Sequence, residues 1–421
     1  MRLLILSPIS PLPIFTGGRQ RLYQITREQA RRHDVTFLSF CRNEEEREGL
    51  MQLARELEIR VVSVPFMSLK GVIRGEIGPD TLALARGRWR AWRERLPAAI
   101  PAWDQPAMHR ALTQELARAS YDILQVEWPY LAPYALRPDL PPTALITHDI
   151  FSVGLARRAA VQSDARARAR LREQAHRWEA YERAIYPRFS LVAAMSETDA
   201  AIIRARAPEA RVILSPNGVD ARGIQPQPIR AEARHLLFVG SPTHEPNLDA
   251  ACWLLTTIWP RLHARHPHLT LTLVNLDHPQ VHACAAGAAQ VRITGRVVDV
   301  LPYYRQADIA LAPIRAGSGT RLKILEAFAA GVPVVSTSIG HEGLAVTPGE
   351  HLLVGDQPET FVAGIERLLA SPQLRRRLAH HARSLVEARY DWSKIVDDLD
   401  EAYKMVTCSN PSASSVAHEP A

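Results

Sequence analysis

The chain has 421 residues, 47% hydrophobic, 23% charged and 6% aromatic, which suits two or three domains with large cores and excludes a disordered or collagenous protein. Its net charge of +7 admits phosphates, nucleic acid or anionic membranes as partners, but only four of the 51 Lys and Arg residues are lysines (Lys70, Lys323, Lys394 and Lys404). The excess is therefore an arginine-rich composition, and no nucleic-acid binding is read from it. Cys41, Cys252, Cys284 and Cys408 form no CxxC pair, against a zinc knuckle or a dense disulfide framework, and a reducing cytoplasm is the default compartment.

In chain order, Leu3 to Ser7 reads as a strand that ends in a Pro/Gly loop. Pro8, Pro11 and Pro13 argue against a signal peptide. Gly18 to Arg32 has helical spacing, Val35 to Phe40 is a strand, Glu44 to Leu57 a helix and Ile59 to Val64 a third strand. Strands apolar at nearly every position and alternating with helices imply a parallel sheet covered on both faces. Residues 66–106, with Trp89, Trp92 and Trp103 among arginines and prolines, break this rhythm and read as an insertion outside the core. Strands follow at Tyr121 to Val126 and Ala144 to Thr147, then one long arginine-rich helix from about Val153 to Ile185, then strands at Leu191 to Met195 and Val212 to Leu214.

Pro216 to Pro228 has the composition of a hinge, and a second βα cycle follows. Its strands are predicted at Leu236 to Val239, Leu269 to Val274, Val291 to Thr294, Ile309 to Ala312, Val334 to Ser336 and His351 to Val354. Helices are predicted at Asn247 to Ala264, Arg321 to Ala330, Pro358 to Ala370 and Pro372 to Ala388. Trp392 to Met405 is a last amphipathic helix, and residues 407–421 contain too little apolar surface to fold. No run approaches the ~20 apolar residues that cross a bilayer, so a soluble or peripheral protein is expected.

The strongest chemical signal is IRAGSGTRLKILEAFAAGVPVVSTSIGHEGL at 314–344, where a glycine-rich loop runs into a helix. Gly317 and Gly319 allow backbone N–H groups to approach an oxyanion, and the helix N-terminus adds free amides and the positive end of its dipole. Arg321 and Lys323 stand in the first turn, where cations are disfavoured. An anionic ligand explains them better than helix stability, the alternative being a solvated or salt-bridged pair. Glu326 shares a helix face with Lys323 and either accepts hydrogen bonds from ribose hydroxyls or forms a surface Lys–Glu pair.

These motifs resemble those of the retaining glycosyltransferases of family 4, the group 1 enzymes of GT-B fold. The resemblance covers nearly the whole chain. It includes PIFTGGRQR after the first strand, THD at 147–149, YERAIYPRFSLVAAMSETD at 181–199, PNGVD at 216–220, FVGSPTHEPNLDAACWL at 238–254 and ITGRVVDVLPYYRQADIALAP at 293–313. It implies two Rossmann-like, doubly wound parallel-sheet domains facing a central cleft. Residues 1–225 would form the acceptor domain, 226–390 the donor domain, and 391–406 a helix crossing back to the first. It also implies transfer of a sugar from a nucleotide diphosphate donor (UDP- or GDP-sugar) to a glycan or lipid-linked acceptor, without an obligatory metal or any cofactor. Envelope or exported polysaccharide assembly is the expected setting, with the protein either free in the cytoplasm or peripheral on the inner face of the membrane.

By resemblance, Gly317, Ser318, Gly319 and Thr320 surround the diphosphate, and Arg321 or Lys323 neutralises it. Glu326 binds ribose, His148 lies near the transferred sugar, and Gly17 and Gly18 form a loop facing the phosphates. Gly240 belongs to the donor site, and the backbone at Arg296 and Val297 meets the base. His148 alone is a weak signal, but its place in THD at the carboxyl end of a predicted parallel strand is where ligands collect. Arg19 and Arg21 either hold an acceptor phosphate or solvate their helix. Asn217 and Gly218 are read as an interlobe turn.

Two departures stand out. Ser318 replaces the first glutamate of the family's E-x7-E motif, which leaves the donor sugar open. The Arg and Lys pair expected just after the first strand of the second lobe is also absent, Gly240 being followed by Ser241, prolines and Asn247. Arg321 and Lys323 are expected to take over its charge. Asp398-Leu399-Asp400 is formally DxD but falls on an amphipathic helix and is read as a solvated face. His263, His266 and His268 suggest no metal site. No glycine is followed by lysine, which removes the P-loop reading. A sugar-nucleotide epimerase or hydrolase, and a non-catalytic nucleotide-binding protein, are the alternatives on the same scaffold. The Trp89, Trp92 and Trp103 insertion either rests on an anionic membrane surface or caps the acceptor side.

Overall fold

A computed structural model describes residues 1–67, 81–316 and 322–408. The chain divides into two compact units, Met1–Ser215 with residues 396–408, and Pro216–Ile395. In the first, strands β1 (Arg2–Ser7), β2 (Asp34–Cys41), β3 (Arg60–Pro65), β4 (Ile123–Glu127), β5 (Thr143–Ile146), β6 (Leu191–Ala194) and β7 (Val212–Leu214) form one parallel sheet in the order β3-β2-β1-β4-β5-β6-β7. Leu3, Leu4, Ile5 and Leu6 are all fully buried. Leu4 and Leu6 join Leu38, Phe40, Leu124 and Trp178 in one core, and alternation along the strand turns Leu3 and Ile5 to the opposite layer. The crossover helices Gly17–Ala30 and Glu44–Leu57 are capped by Thr16 and Asn43, whose side chains accept from the N–H groups of Arg19 and Glu46.

The second unit repeats the plan with β8 (His235–Val239), β9 (Thr270–Val274), β10 (Val291–Ile293), β11 (Ile309–Ala312), β12 (Val334–Ser336) and β13 (Leu353–Val354), parallel in the order β10-β9-β8-β11-β12-β13. Here both faces can be followed residue by residue. Leu236, Phe238, Ile309 and Leu311 belong to one hydrophobic cluster, and Leu237, Val239, Ala310 and Ala312 to another. All thirteen strands expected from the sequence are present, with ends shifted by at most two residues. In each sheet the strand order reverses once, between β1 and β4 and between β8 and β11, and those reversal points open the crevices in which α/β sheets bind ligands.

Several helical expectations are corrected. The long helix expected from Val153 to Ile185 is two helices, Phe151–Val161 and Ala165–Ile185, because the Asp164 carboxylate caps the second by accepting from the N–H groups of Arg166 and Ala167. The helix expected at Asn247 to Ala264 starts at Glu245 and passes through a π-helical turn, Leu254–Ile258, immediately before Trp259-Pro260. Pro260 has no N–H to donate, and a π-turn is one way a helix absorbs that loss.

The 66–106 segment is not wholly outside the core. Ile100 is buried, and Trp103 packs against Phe40, Phe66 and Tyr130, whereas Trp89 and Trp92 are exposed. Cys252 and Cys284, whose spacing gave no signal of pairing, form a disulfide between the helices Glu245–Trp253 and Pro279–Cys284. The last helix, Trp392–Cys408, begins in the second unit and continues as part of the first. Its Asp400 is not on a solvated face: it is buried and paired with Arg32 and His33. The tail expected to be mobile lies, from residue 409 on, outside the described residues.

Candidate functional site

At the reversal point of the first sheet, the loop after β1 meets the end of β4. Gly17 and Gly18 do not form a loop but open the helix Gly17–Ala30; a Cβ added to Gly18 would lie 3.3 Å from Cζ2 of Trp128, so this first helical turn rests directly on that indole. Trp128 in turn stacks on His148, which follows β5, with ring centroids 3.5 Å apart and planes within 5°. Both residues have left-handed backbones, φ 72° at Trp128 and 57° at His148. Such φ values are costly for bulky side chains and concentrate at functional sites.

Behind the stack runs a buried polar chain. His148 Nε2 is 2.5 Å from Glu127 Oε2, and the two side chains are only 6% and 3% exposed. Glu127 Oε1 accepts from Gln125 Nε2, and Gln125 Oε1 accepts from Gln29 Nε2 and Tyr403 Oη. Burial holds His148 below the ordinary histidine pKa, with the Glu127 carboxylate opposing the shift. Arg21 is fully buried beside this chain. Burial lowers its pKa to about 10, where it is still a cation at neutral pH, and it interacts electrostatically with Glu127 while donating to Ser215 Oγ at 2.7 Å.

Neither N-terminal arginine solvates its helix. Arg19 is 3% exposed, with its guanidinium on Glu46 at 2.6 Å and on the Leu12 carbonyl, and Arg21 is 2% exposed. Both guanidiniums are turned into the first unit.

In the second unit the reversal point joins the segment after β8 to the helix after β11, Leu322–Ala329. Lys323 donates from Nζ to Asn247 Oδ1 at 2.8 Å and lies 4.5 Å from the centroid of the Phe238 ring. Asn247 is itself oriented by donating to the Ser241 carbonyl. Glu326 is buried and accepts from the Tyr304 hydroxyl, which also reaches the Lys323 carbonyl. Glu326 is therefore not on the surface. Burial raises the Tyr304 pKa well above the ordinary tyrosine value, and Glu326 adds to the shift, so the phenol stays a donor.

Gly240, at the end of β8, leaves no room for a side chain, since a Cβ there would come within 2.8 Å of Leu276. The Val297 N–H donates to Asn275 Oδ1 at 2.7 Å, which fixes the Arg296-Val297 turn against the end of β9. Gly218 packs closely on Trp392 and Ile395, which a Cβ there would meet at 2.7 Å. Gly317, Ser318, Gly319, Thr320 and Arg321 lie outside the described residues. Among the described residues no group of three or more His, Cys, Asp or Glu side chains is arranged to hold a metal ion, and no helix is long and apolar enough to cross a membrane.

Sequence reasoning missed Glu127, Trp128, Gln125, Asn275 and Tyr304. Glu127 and Gln125 carried a signal: two polar residues inside an otherwise apolar parallel strand, ILQVE.

Two doubly wound parallel sheets, each with a polar constellation at its reversal point, define the GT-B class of protein. Residues 233–371 match the family model described as Glycosyl transferases group 1. Phosphatidyl-myo-inositol mannosyltransferase of Mycolicibacterium smegmatis is 29% identical over 202 residues, 46% of this chain and 51% of that protein. This chain thus spans about half the length of that curated relative. Among solved structures, sucrose-phosphate synthase from Thermosynechococcus elongatus superposes with a TM-score of 0.68 at 18% identity, over 97% of this chain and 100% of that one. The Anabaena protein HepE, in complex with UDP and glucose, gives 0.64 at 16% identity over 96% and 100%. The chain is a GT-B-fold protein related to the group 1 glycosyl transferases.

Proposed function

We propose that this protein transfers a sugar from a nucleotide diphosphate donor to a glycan or lipid-linked acceptor, with retention at the anomeric carbon. The observation that carries this reading is the meeting of Lys323 and Asn247 at the reversal point of the sheet within the group 1 match. Breaking a sugar–phosphate bond leaves a diphosphate with growing negative charge, and its stabilisation by a fixed cation and oriented amides is the main catalytic task. Lys323 supplies such a cation. Its ammonium reaches the 241–247 stretch where the family's basic pair is missing, which supports the transfer of that charge to the helix after β11.

In this reading residues 317–320 and Arg321 bind the diphosphate, and Glu326, oriented by Tyr304, accepts from ribose. The Arg296-Val297 turn and Gly240 meet the nucleoside. In the first unit His148 serves the transferred sugar, Gly17 and Gly18, expected to face the phosphates, also seat Trp128 beside it, and Arg19 and Arg21 act by holding the loop and the polar chain rather than an acceptor phosphate. Envelope or exported glycan synthesis at the inner face of a membrane is the setting. Trp89 and Trp92, 60% and 73% exposed on the helix Thr81–Arg93 among Arg86, Arg88, Arg90 and Arg93, support peripheral contact with anionic headgroups.

Thermal shift with nucleoside diphosphates and their sugars tests the donor, since a ligand of the folded state raises Tm by mass action. A UDP or GDP series is expected to raise Tm, followed by a labelled-sugar adduct on an acceptor. No shift with any nucleoside diphosphate would overturn the reading. Free sugar or an epimer as the sole product would replace transfer by hydrolysis or epimerisation.

A further inference from the structure

We infer that Glu127 is a positioning residue that fixes the tautomer of His148, holding the proton on Nε2 and presenting Nδ1 as a hydrogen-bond acceptor. The role in turnover rests on the proposed sugar transfer; the tautomer does not.

The direction of the chain of hydrogen bonds follows from Glu127, whose carboxylate lies beside the buried Arg21 cation and accepts at both oxygens. Gln125 accepts at Oε1 from both Gln29 Nε2 and Tyr403 Oη, at 2.7 and 2.8 Å. Its amide nitrogen must then face residue 127, where it donates to Oε1 at 2.5 Å. An ionised carboxylate only accepts, so the short contact at its other oxygen requires a proton on His148 Nε2. A neutral imidazole protonated there has a bare Nδ1, which recognises a hydroxyl and not an anion.

Stacking on Trp128 fixes the ring plane, and Gly18 backs the indole. The charged and titratable groups facing the pair include Arg21 from the helix after β1, Tyr130 from the segment after β4 and Tyr403 from the last helix. Arg21 disfavours a second positive charge on His148, and burial keeps Tyr403 protonated. Rings locked between a carboxylate and an indole, on two left-handed backbones, are ordered before substrate arrives.

Glu127→Gln is a directional test. Because Gln125 still donates to the Oε1 position, the new amide must place its oxygen there and its NH2 toward His148. Nε2 then has to accept, and the proton moves to Nδ1. The full-length chain labelled with 15N-histidine, read by long-range 1H–15N correlation and assigned with His148→Gln, is expected to show the Nε2–H tautomer in wild type and the Nδ1–H tautomer in Glu127→Gln.

In the transfer assay, kcat is expected to fall about 10-fold to 100-fold, the usual range for removing a group that orients a functional imidazole, with the KM for donor changed less than 3-fold. Glu127→Asp should recover part of the loss, and Glu127→Gln should add nothing in a His148→Ala background. A wild-type Nδ1–H tautomer, or one unmoved by Glu127→Gln, overturns the assignment whether or not transfer is observed. A changed tautomer with unchanged kcat overturns the catalytic part alone. Absence of transfer by wild type with every donor fails the functional reading while the spectrum still decides the tautomer.

Discussion

At the reversal point of the first sheet lie an imidazole, a carboxylate and an indole, closed in by the first helical turn at Gly17-Gly18 and backed by amides. At the reversal point of the second lie an ammonium, an amide and a buried carboxylate whose partner is a phenol. The topology is the same and the chemistry is opposite. The first places an acceptor in a dry setting, which suits hydroxyl recognition; the second places a cation in the first turn of a helix, which suits a diphosphate. One architecture thus supplies two equivalent positions, and what each binds is set by the few side chains at the strand ends.

The largest expected effect breaks the comparison on its cationic side. Lys323→Ala should lower kcat/KM by more than about 100-fold, the scale of one lost electrostatic contact to the leaving group, without lowering Tm by more than ~2 °C. Steady-state kinetics beside a thermal melt would check this, and unchanged turnover would remove the charge from that helix. Gly18→Val comes next. A side chain there displaces Trp128 and with it His148, so turnover should fall about 10-fold to 100-fold, while calorimetry should find nucleoside diphosphate affinity within ~2-fold of wild type. An equal fall in both would mean that the phosphates themselves touch Gly18.

The units should also differ in pH response. In the first, Glu182 is fully buried against Ser152 and Arg206, and burial lifts its pKa from 4.5 to about 7. The folded state therefore binds a proton that the unfolded state has lost between those values, so this stabilisation is present at acid pH and disappears as pH rises through about 7. Glu182→Gln should flatten that dependence, with a difference of up to about 3 kcal/mol between pH 5 and pH 8 read by urea titration. The smallest effect concerns a break that the sequence concealed. Asp164→Ala removes the cap of the helix Ala165–Ile185 and should cost about 1 kcal/mol, a Tm loss of a few degrees.

Much of the scaffold was legible because its signals are local. Val35 to Phe40 is apolar on both faces, Glu44 to Leu57 begins behind a capping asparagine, and Leu322 to Ala329 has the apolar spacing of a buried helix. The break at Asp164 left only a trace, a Ser-Asp pair before an arginine run, which helical spacing on either side masked.

The candidate site was legible only in halves. His148, Gly18, Lys323 and Glu326 could be named from their places beside predicted strands and helices, but their partners could not. Glu127 is 21 residues from His148, Asn247 is 76 from Lys323, and Tyr403 is 278 from Gln125. Periodicity of two or 3.6 residues determined which segments become strands and helices and which faces are apolar. Strand order alone decided which loop ends meet. In a parallel sheet, neighbours are joined through crossovers, and across each reversal point they are far apart in sequence, so no local pattern encodes their contact.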